Sequence, residues 1–252
     1  MNKNRKNFFD SLSKNYSKRY SLKDKRSIFF NERLNFSLQN EDLQNKSILD
    51  IGAGNGMIYK KTINQNVNYY ACDISEEMMK NGGIPKKNRF PIYSKFPEQL
   101  YSKKYDYIFI LGLTAYLTKN EFDQYLEIAK HCSKTGTRII ISYTLKNIIH
   151  ESITNTLRII YQVLANKIYK NKELIISSKI NINRSTAKEC FQISRNFLTY
   201  DYLYHNFIPA PFDRLFPYSI LQSLNYIFRN IFGSNRLKFM ATDLIVKYQY
   251  AK

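Results

Sequence analysis

The run Ser47-Ile48-Leu49-Asp50-Ile51, passing directly into Gly52-Ala53-Gly54-Asn55-Gly56, constrains this chain more than any other segment. The first five residues read as a short buried strand ending in an acid. The three glycines give a sharp turn whose backbone a ligand can approach, because no Cβ stands in the way. After a helix-length interval comes a second strand, Tyr69-Tyr70-Ala71-Cys72, ending in Asp73. Strand, loop, helix, strand is the order of a parallel unit in an open α/β sheet. It sets two carboxylates and a glycine loop at the carboxyl ends of adjacent strands, the edge where such sheets bind ligands.

The spacing excludes two familiar loops. A dinucleotide fingerprint needs a third glycine where this chain has Met57, and a Walker loop needs a Gly-Lys-Ser/Thr that is absent. An acid two residues before the first glycine repels a pyrophosphate and suits a cationic ligand without phosphate. Asp73 suits a pair of ribose hydroxyls, since a carboxylate accepts both.

Asp50-Ile51-Gly52-Ala53-Gly54-Asn55-Gly56 and Cys72-Asp73-Ile74-Ser75-Glu76-Glu77-Met78 resemble the first two motifs of the class I S-adenosylmethionine-dependent methyltransferases. The resemblance covers about residues 45 to 145. It implies S-adenosyl-L-methionine as cofactor, with Asp50, Gly52, Ala53, Gly54, Asn55 and Gly56 around its methionine part. It also implies Asp73 on the ribose and Ile74 on the adenine. Where the family often carries a carboxylate for the adenine amino group, this chain has Tyr93-Ser94-Lys95-Phe96, so Ser94 takes that place. Leu111 follows from the fourth strand.

The fold expected is a Rossmann-like, seven-stranded, mostly parallel sheet with helices on both faces and a helical insertion after the fifth strand. One domain accounts for the whole chain. Residues 1–44 supply N-terminal helices, among them Phe8-Phe9-Asp10 to Tyr16, of the kind that closes over the cofactor. Residues 45–145 form the cofactor-binding core, with strands at 90–94, 105–112 and 136–143 and helices at 76–82 and 119–132. Residues 146–236 form a substrate lid that includes a helical stretch over 146–178, a sixth strand within 190–208 and an amphipathic segment over 216–232. Residues 237–252 hold the last strand, near 241–248.

Three widely separated cysteines, Cys72, Cys132 and Cys190, fit neither a disulfide framework nor a zinc site. No metal is expected, and no apolar run approaches a membrane span or a signal-peptide core. These features predict a cytoplasmic protein, peripheral at most to the inner face of a membrane. The net charge of +19 favours anionic partners, although a Lys-, Asn- and Ile-rich composition produces such a charge without any function.

Methyl transfer from a sulfonium is an in-line displacement that needs alignment and, for an oxygen nucleophile, a base. The candidates for orienting or deprotonating an acceptor are Tyr116, at the rim after the fourth strand, His150 and His205. Leu111-Gly112-Leu113-Thr114 stands where enzymes that methylate base nitrogens carry an Asn/Asp-Pro-Pro-Tyr/Phe motif. The expected acceptor is therefore small or lipid-like, methylated at oxygen or carbon, with anionic membrane as a partner surface. RNA methylation through the basic surface is the second reading. The stripe from Ile220 to Phe232 suits a helix lying in a membrane interface, or one packed on the core.

Overall fold

The structure, a computed structural model, describes residues 3–21, 27–147, 151–152, 156, 182–208, 216–230 and 238–251. Its centre is a seven-stranded sheet in the order β3-β2-β1-β4-β5-β7-β6. The strands are β1 Ser47–Ile51, β2 Asn68–Asp73, β3 Arg89–Pro91, β4 Tyr105–Ile110, β5 Ser133–Thr144, β6 Phe197–His205 and β7 Asp243–Tyr250. Strands β3, β2, β1, β4 and β5 run parallel, while β7 is antiparallel to both of its neighbours. The expected Rossmann-like architecture is thus present.

Alternation along the central strands divides the core between two faces. Leu49, Ile51, Ile108, Ile110, Ile139 and Ile141 pack on one side with Leu100 of α5 (Glu98–Tyr101) and with Leu126 and Ala129 of α6 (Lys119–His131). Ile48, Ala71, Phe109 and Ile140 pack on the other with Leu34 of α2 (Ser27–Leu38), Ile58 of α3 (Met57–Thr62) and Met79 of α4 (Glu76–Asn81). β4 is buried at every position but Asp106, which fits the near-continuous apolar run of a central parallel strand.

Some boundaries differ from those read in the sequence. β3 ends at Pro91 rather than residue 94, because β2 ends at Asp73 and its carbonyl takes the last ladder bond from the Ile92 N–H at 2.8 Å. β5 begins at Ser133, three residues before Gly136, with an irregular register against β4. Thr137 closes that irregularity by donating its hydroxyl to the Tyr105 carbonyl at 2.6 Å and accepting the Lys134 N–H at 2.9 Å. α4 starts where expected: Ser75 caps it by accepting the Met78 N–H, and Gly83 turns out of it at φ +82°.

Within 146–236, most of the stretch expected to be helical, 146–178, lies outside the described residues. So do Pro209-Ala210-Pro211, Arg214, Ile231, Phe232 and Arg236 of the predicted amphipathic region. The described parts are α7 (Ala187–Phe191), β6 and α8 (Tyr218–Asn230). β6 belongs to the sheet. The apolar face of α8, Leu221, Leu224 and Phe228, packs against Ile28 and Phe29 of α2 and against Ile208. That face is therefore spent on the core, leaving Ile220 and Tyr226 as its exposed large apolar residues. Among the described residues no helix is long and apolar enough to cross a membrane. The three cysteines are free and buried.

Candidate active site

β1 lies between β2 and β4, so the chain order reverses there and a crevice opens beyond the carboxyl ends of these strands. The glycine loop fills its floor. Gly52, Gly54 and Gly56 have φ of +76°, +51° and +65°, a region that residues with a Cβ rarely adopt. The loop is pinned to β2: the Gly52 N–H donates to the Cys72 carbonyl at 2.8 Å, and the Gly54 N–H donates to Oδ2 of Asp73 at 2.8 Å. The other oxygen of Asp73 accepts the Ser75 N–H at 2.8 Å.

Asp73 is thus aimed by two backbone donors, and each of its oxygens keeps a lone pair for a ligand hydroxyl. Burial pushes its pKa up to about 6, against the opposing pull of the N–H donors from Ser75 and Gly54. A cavity of about 670 Å³ lies over this floor, within the range of ordinary small-molecule sites.

Gly52, Gly54, Asp73, Ile74, Ser94 and Leu111 all line the cavity, as does Tyr116. Four predicted cofactor residues, Asp50, Ala53, Asn55 and Gly56, do not. Asp50 shares a sheet face with Ile48, and its carboxylate is buried against the hydroxyl of Tyr69. Ala53 packs in the helix-covered core, and Asn55 lies under the loop, its backbone against Gly82. Gly56 caps α3 and has Ile84 behind it, so a Cβ there would come within 2.6 Å of that side chain. These residues shape the loop without reaching the cavity.

His205 is also displaced from the site. It ends β6, the edge strand separated from β4 by β5 and β7, and it is 3% exposed. Burial lowers its pKa, and its nearest charged partner is Glu32, at 3.8 Å. The register of β6 on β7 sets His205 opposite Asp243, away from the glycine loop. His150 lies outside the described residues.

The mouth of the cavity is formed by α1 (Lys3–Leu12), which the sequence placed near the cofactor without naming its contacts. Arg5, Phe9 and Tyr16 line the cavity from this side. Arg5 forks onto Glu121, Phe9 meets Tyr116 edge to face at 5.1 Å, and Asp10 accepts the Ser75 hydroxyl at 2.5 Å. One helix therefore bridges the ends of β2 and β4 and the start of α6. Leu113 covers the loop so closely that a Cβ on Gly52 would sit 3.0 Å from it. Among the described residues, none from 146–236 lines the cavity, and much of the stretch expected to form a lid lies outside the described residues.

These features fit S-adenosylmethionine. A side-chain-free floor, a carboxylate aimed by backbone donors and the apolar wall of Ile74, Ile92, Phe96 and Leu111 suit its amino-acid part, ribose and adenine respectively. Among the described residues no cluster of ligating side chains suits a metal.

Residues 49–139 match the family model of a methyltransferase domain. No curated protein matches the chain by sequence. Solved structures of similar fold include the methyltransferase in complex with the Haloferax volcanii Trm112 methyltransferase activator, at 11% identity and a TM-score of 0.57, covering 97% of this chain and 98% of that one. An S-adenosylmethionine-dependent methyltransferase from Archaeoglobus fulgidus has 14% identity and a TM-score of 0.55, covering 92% and 97%. Magnesium protoporphyrin IX methyltransferase from Synechocystis, solved with S-adenosylhomocysteine, has 11% identity and a TM-score of 0.52, covering 90% and 83%. At these identities the likeness is one of fold. The chain thus carries a methyltransferase-domain match over residues 49–139 and resembles the class I S-adenosylmethionine-dependent methyltransferases in fold. S-adenosylmethionine is the cofactor of that class.

Proposed function

We propose that the protein methylates a small, largely apolar acceptor, at oxygen or carbon, seated between α1 and the rim of β4. The observation that carries this reading is the aromatic and aliphatic wall facing the glycine loop: Phe9, Tyr16, Leu113, Tyr116 and Leu117. When bound, the cofactor supplies a methyl group activated on a sulfonium. Gly52 and Gly54 would hold its amino-acid part, Asp73 its ribose, and Ile74, Ser94 and Leu111 its adenine end.

The rest of the work falls to the chain. α1 excludes water from the reaction, and the Tyr116 phenol is positioned to orient the acceptor while its ring stays braced by Phe9. Ser142, through its hydroxyl and carbonyl, ties down the Gly112 N–H at 2.7 Å and the Thr114 hydroxyl at 2.8 Å, which keeps the rim fixed. A structural neighbour that acts on magnesium protoporphyrin IX shows the fold serving a small-molecule acceptor. A cytoplasmic enzyme that meets its acceptor at an anionic membrane remains compatible with the net charge of +19. The same charge is what favours RNA as the second reading.

Transfer of labelled methyl groups from S-adenosylmethionine tests the assignment. Purified protein is incubated with small-molecule, lipid and RNA fractions of a cell extract. Label entering the small-molecule or lipid fraction supports the proposal. Label confined to RNA, lost as salt rises, replaces it with the second reading.

A further inference from the structure

The stretch between β5 and β6 returns to the sheet beside the rim of the cavity. There Asn183 donates its backbone N–H to the Ala115 carbonyl at 2.7 Å and its side-chain amide to the Leu117 carbonyl. These two carbonyls flank Tyr116, at the end of the short helical turn Thr114–Tyr116. The last carbonyls of such a turn have no partner within it. A single asparagine supplies both missing donors, one from its main chain and one from its side chain.

Asn183 is itself anchored to the sheet. Ser185, two residues further on, forms a parallel bridge with Leu145, just past the end of β5. The Ser185 N–H donates to the Thr144 carbonyl at 2.9 Å, and its carbonyl accepts the Lys146 N–H at 2.9 Å. Leu145 is bonded in turn to the Thr242 carbonyl at 2.7 Å, immediately before β7. Thr186 then caps α7. The carboxyl ends of the central strands thus fix where Asn183 stands.

Tyr116 depends on that support. Its ring lines the cavity and meets Phe9 edge to face at 5.1 Å, and its N–H donates to the Leu113 carbonyl at 2.9 Å. Among the described residues its hydroxyl has no hydrogen-bond partner, so only the ring and the backbone aim it. Ser142 holds the rim at Gly112 and Thr114. Beyond Thr114 the clamp on the rim is Asn183. A small rotation of the backbone there swings the phenol, and a misplacement of about 1 Å can cost about 100-fold in rate.

We propose that Asn183 is a positioning residue for methyl transfer, fixing the direction of the Tyr116 phenol by bonding the carbonyls on both sides of it. The stretch between β5 and β6 thereby serves the site through a residue that does not line the cavity. This inference rests on Tyr116 being the group that orients the acceptor.

Steady-state transfer of labelled methyl groups into the small-molecule or lipid fraction of a cell extract tests it. Unmodified protein is compared with Asn183→Ala, Asn183→Asp, Tyr116→Phe and the double variant Asn183→Ala/Tyr116→Phe. Asn183 is exposed, so its variants should keep the thermal transition of the unmodified protein. Asn183→Ala should lower kcat about tenfold and leave the affinity for S-adenosylmethionine unchanged. Asn183→Asp keeps the size of the side chain but has no amide to donate, and should lower kcat at least as much. In the Tyr116→Phe background, Asn183→Ala should cost nothing further, because the hydroxyl it aims is gone. If Tyr116→Phe lowers kcat but Asn183→Ala leaves it unchanged, or if the two losses multiply, the inference is overturned and the reading of Tyr116 stands. An unaltered kcat in Tyr116→Phe overturns that reading and the inference with it, as does absence of transfer by the unmodified protein.

Discussion

The guanidinium of Arg5 forks onto the carboxylate of Glu121, with Nη1 donating to Oε1 at 3.1 Å and Nη2 donating to Oε2 at 3.2 Å. Glu121 is at the same time the third residue of α6, where it completes a capping box with Thr118. Its pKa is lowered by Arg5 and by the Thr118 N–H, in spite of some burial. A two-pronged pair of this kind fixes orientation as well as distance. It holds α1 across the cavity at the end opposite Asp10 and Ser75.

Arg5→Ala should therefore loosen the mouth without unfolding the core. The expected result is cofactor affinity weakened about three- to tenfold, in line with the loss of one partly exposed bidentate pair. Calorimetry on the variant measures it, and Arg5→Lys should recover only part of the loss because an ammonium cannot fork.

Stability of the cofactor-free protein should respond to pH through Asp50 and Asp73, whose folded pKa values are raised to about 7 and about 6. Raised carboxyl pKa values mean that the folded state binds more protons than the unfolded chain between about pH 4 and about pH 7. The contribution of these two groups is full below their unfolded pKa and is lost as pH rises through the folded values. Asp106, held down to about 2 mainly by Lys134 and Ser47 against its partial burial, works in the opposite sense at lower pH. Comparing variants isolates the effect: Asp50→Asn should gain about 1–3 kcal/mol relative to the unmodified protein at pH 8 and little at pH 4, read by denaturant unfolding.

Tyr116→Phe keeps the ring that Phe9 braces and removes only the hydroxyl. If that hydroxyl orients the acceptor, kcat should fall about 10- to 100-fold with cofactor affinity unchanged. Tyr116→Leu should weaken cofactor binding as well, since it removes the contact that seats α1.

The parts of this protein that were legible in its sequence are those encoded by short-range pattern. Alternating and continuous apolar runs marked β1, β2 and β4, and the glycines marked the loop because only they tolerate its positive φ values. Asp50, expected near the cofactor, does not line the cavity, and strand parity gives the reason: it lies two positions from Ile48 and so shares its inward face. His205 could not be placed without the antiparallel register of β6 on β7, a long-range property. The contacts of α1 were invisible for the same reason, since Arg5 and Glu121 lie far apart in the chain and nothing local pairs them. Leu113 over Gly52 and Arg33 beside Gly112 are likewise products of packing.

Everything proposed for this site depends on S-adenosylmethionine binding in the cavity over the glycine loop, with Asp73 on its ribose. Titration calorimetry of the unmodified protein and of Asp73→Ala with that ligand tests it most directly. The expected result is a dissociation constant in the micromolar range for the unmodified protein, weakened at least about 100-fold in the variant, while both keep the same circular dichroism spectrum. Absence of binding by the unmodified, folded protein, or equal affinity in Asp73→Ala, would contradict it.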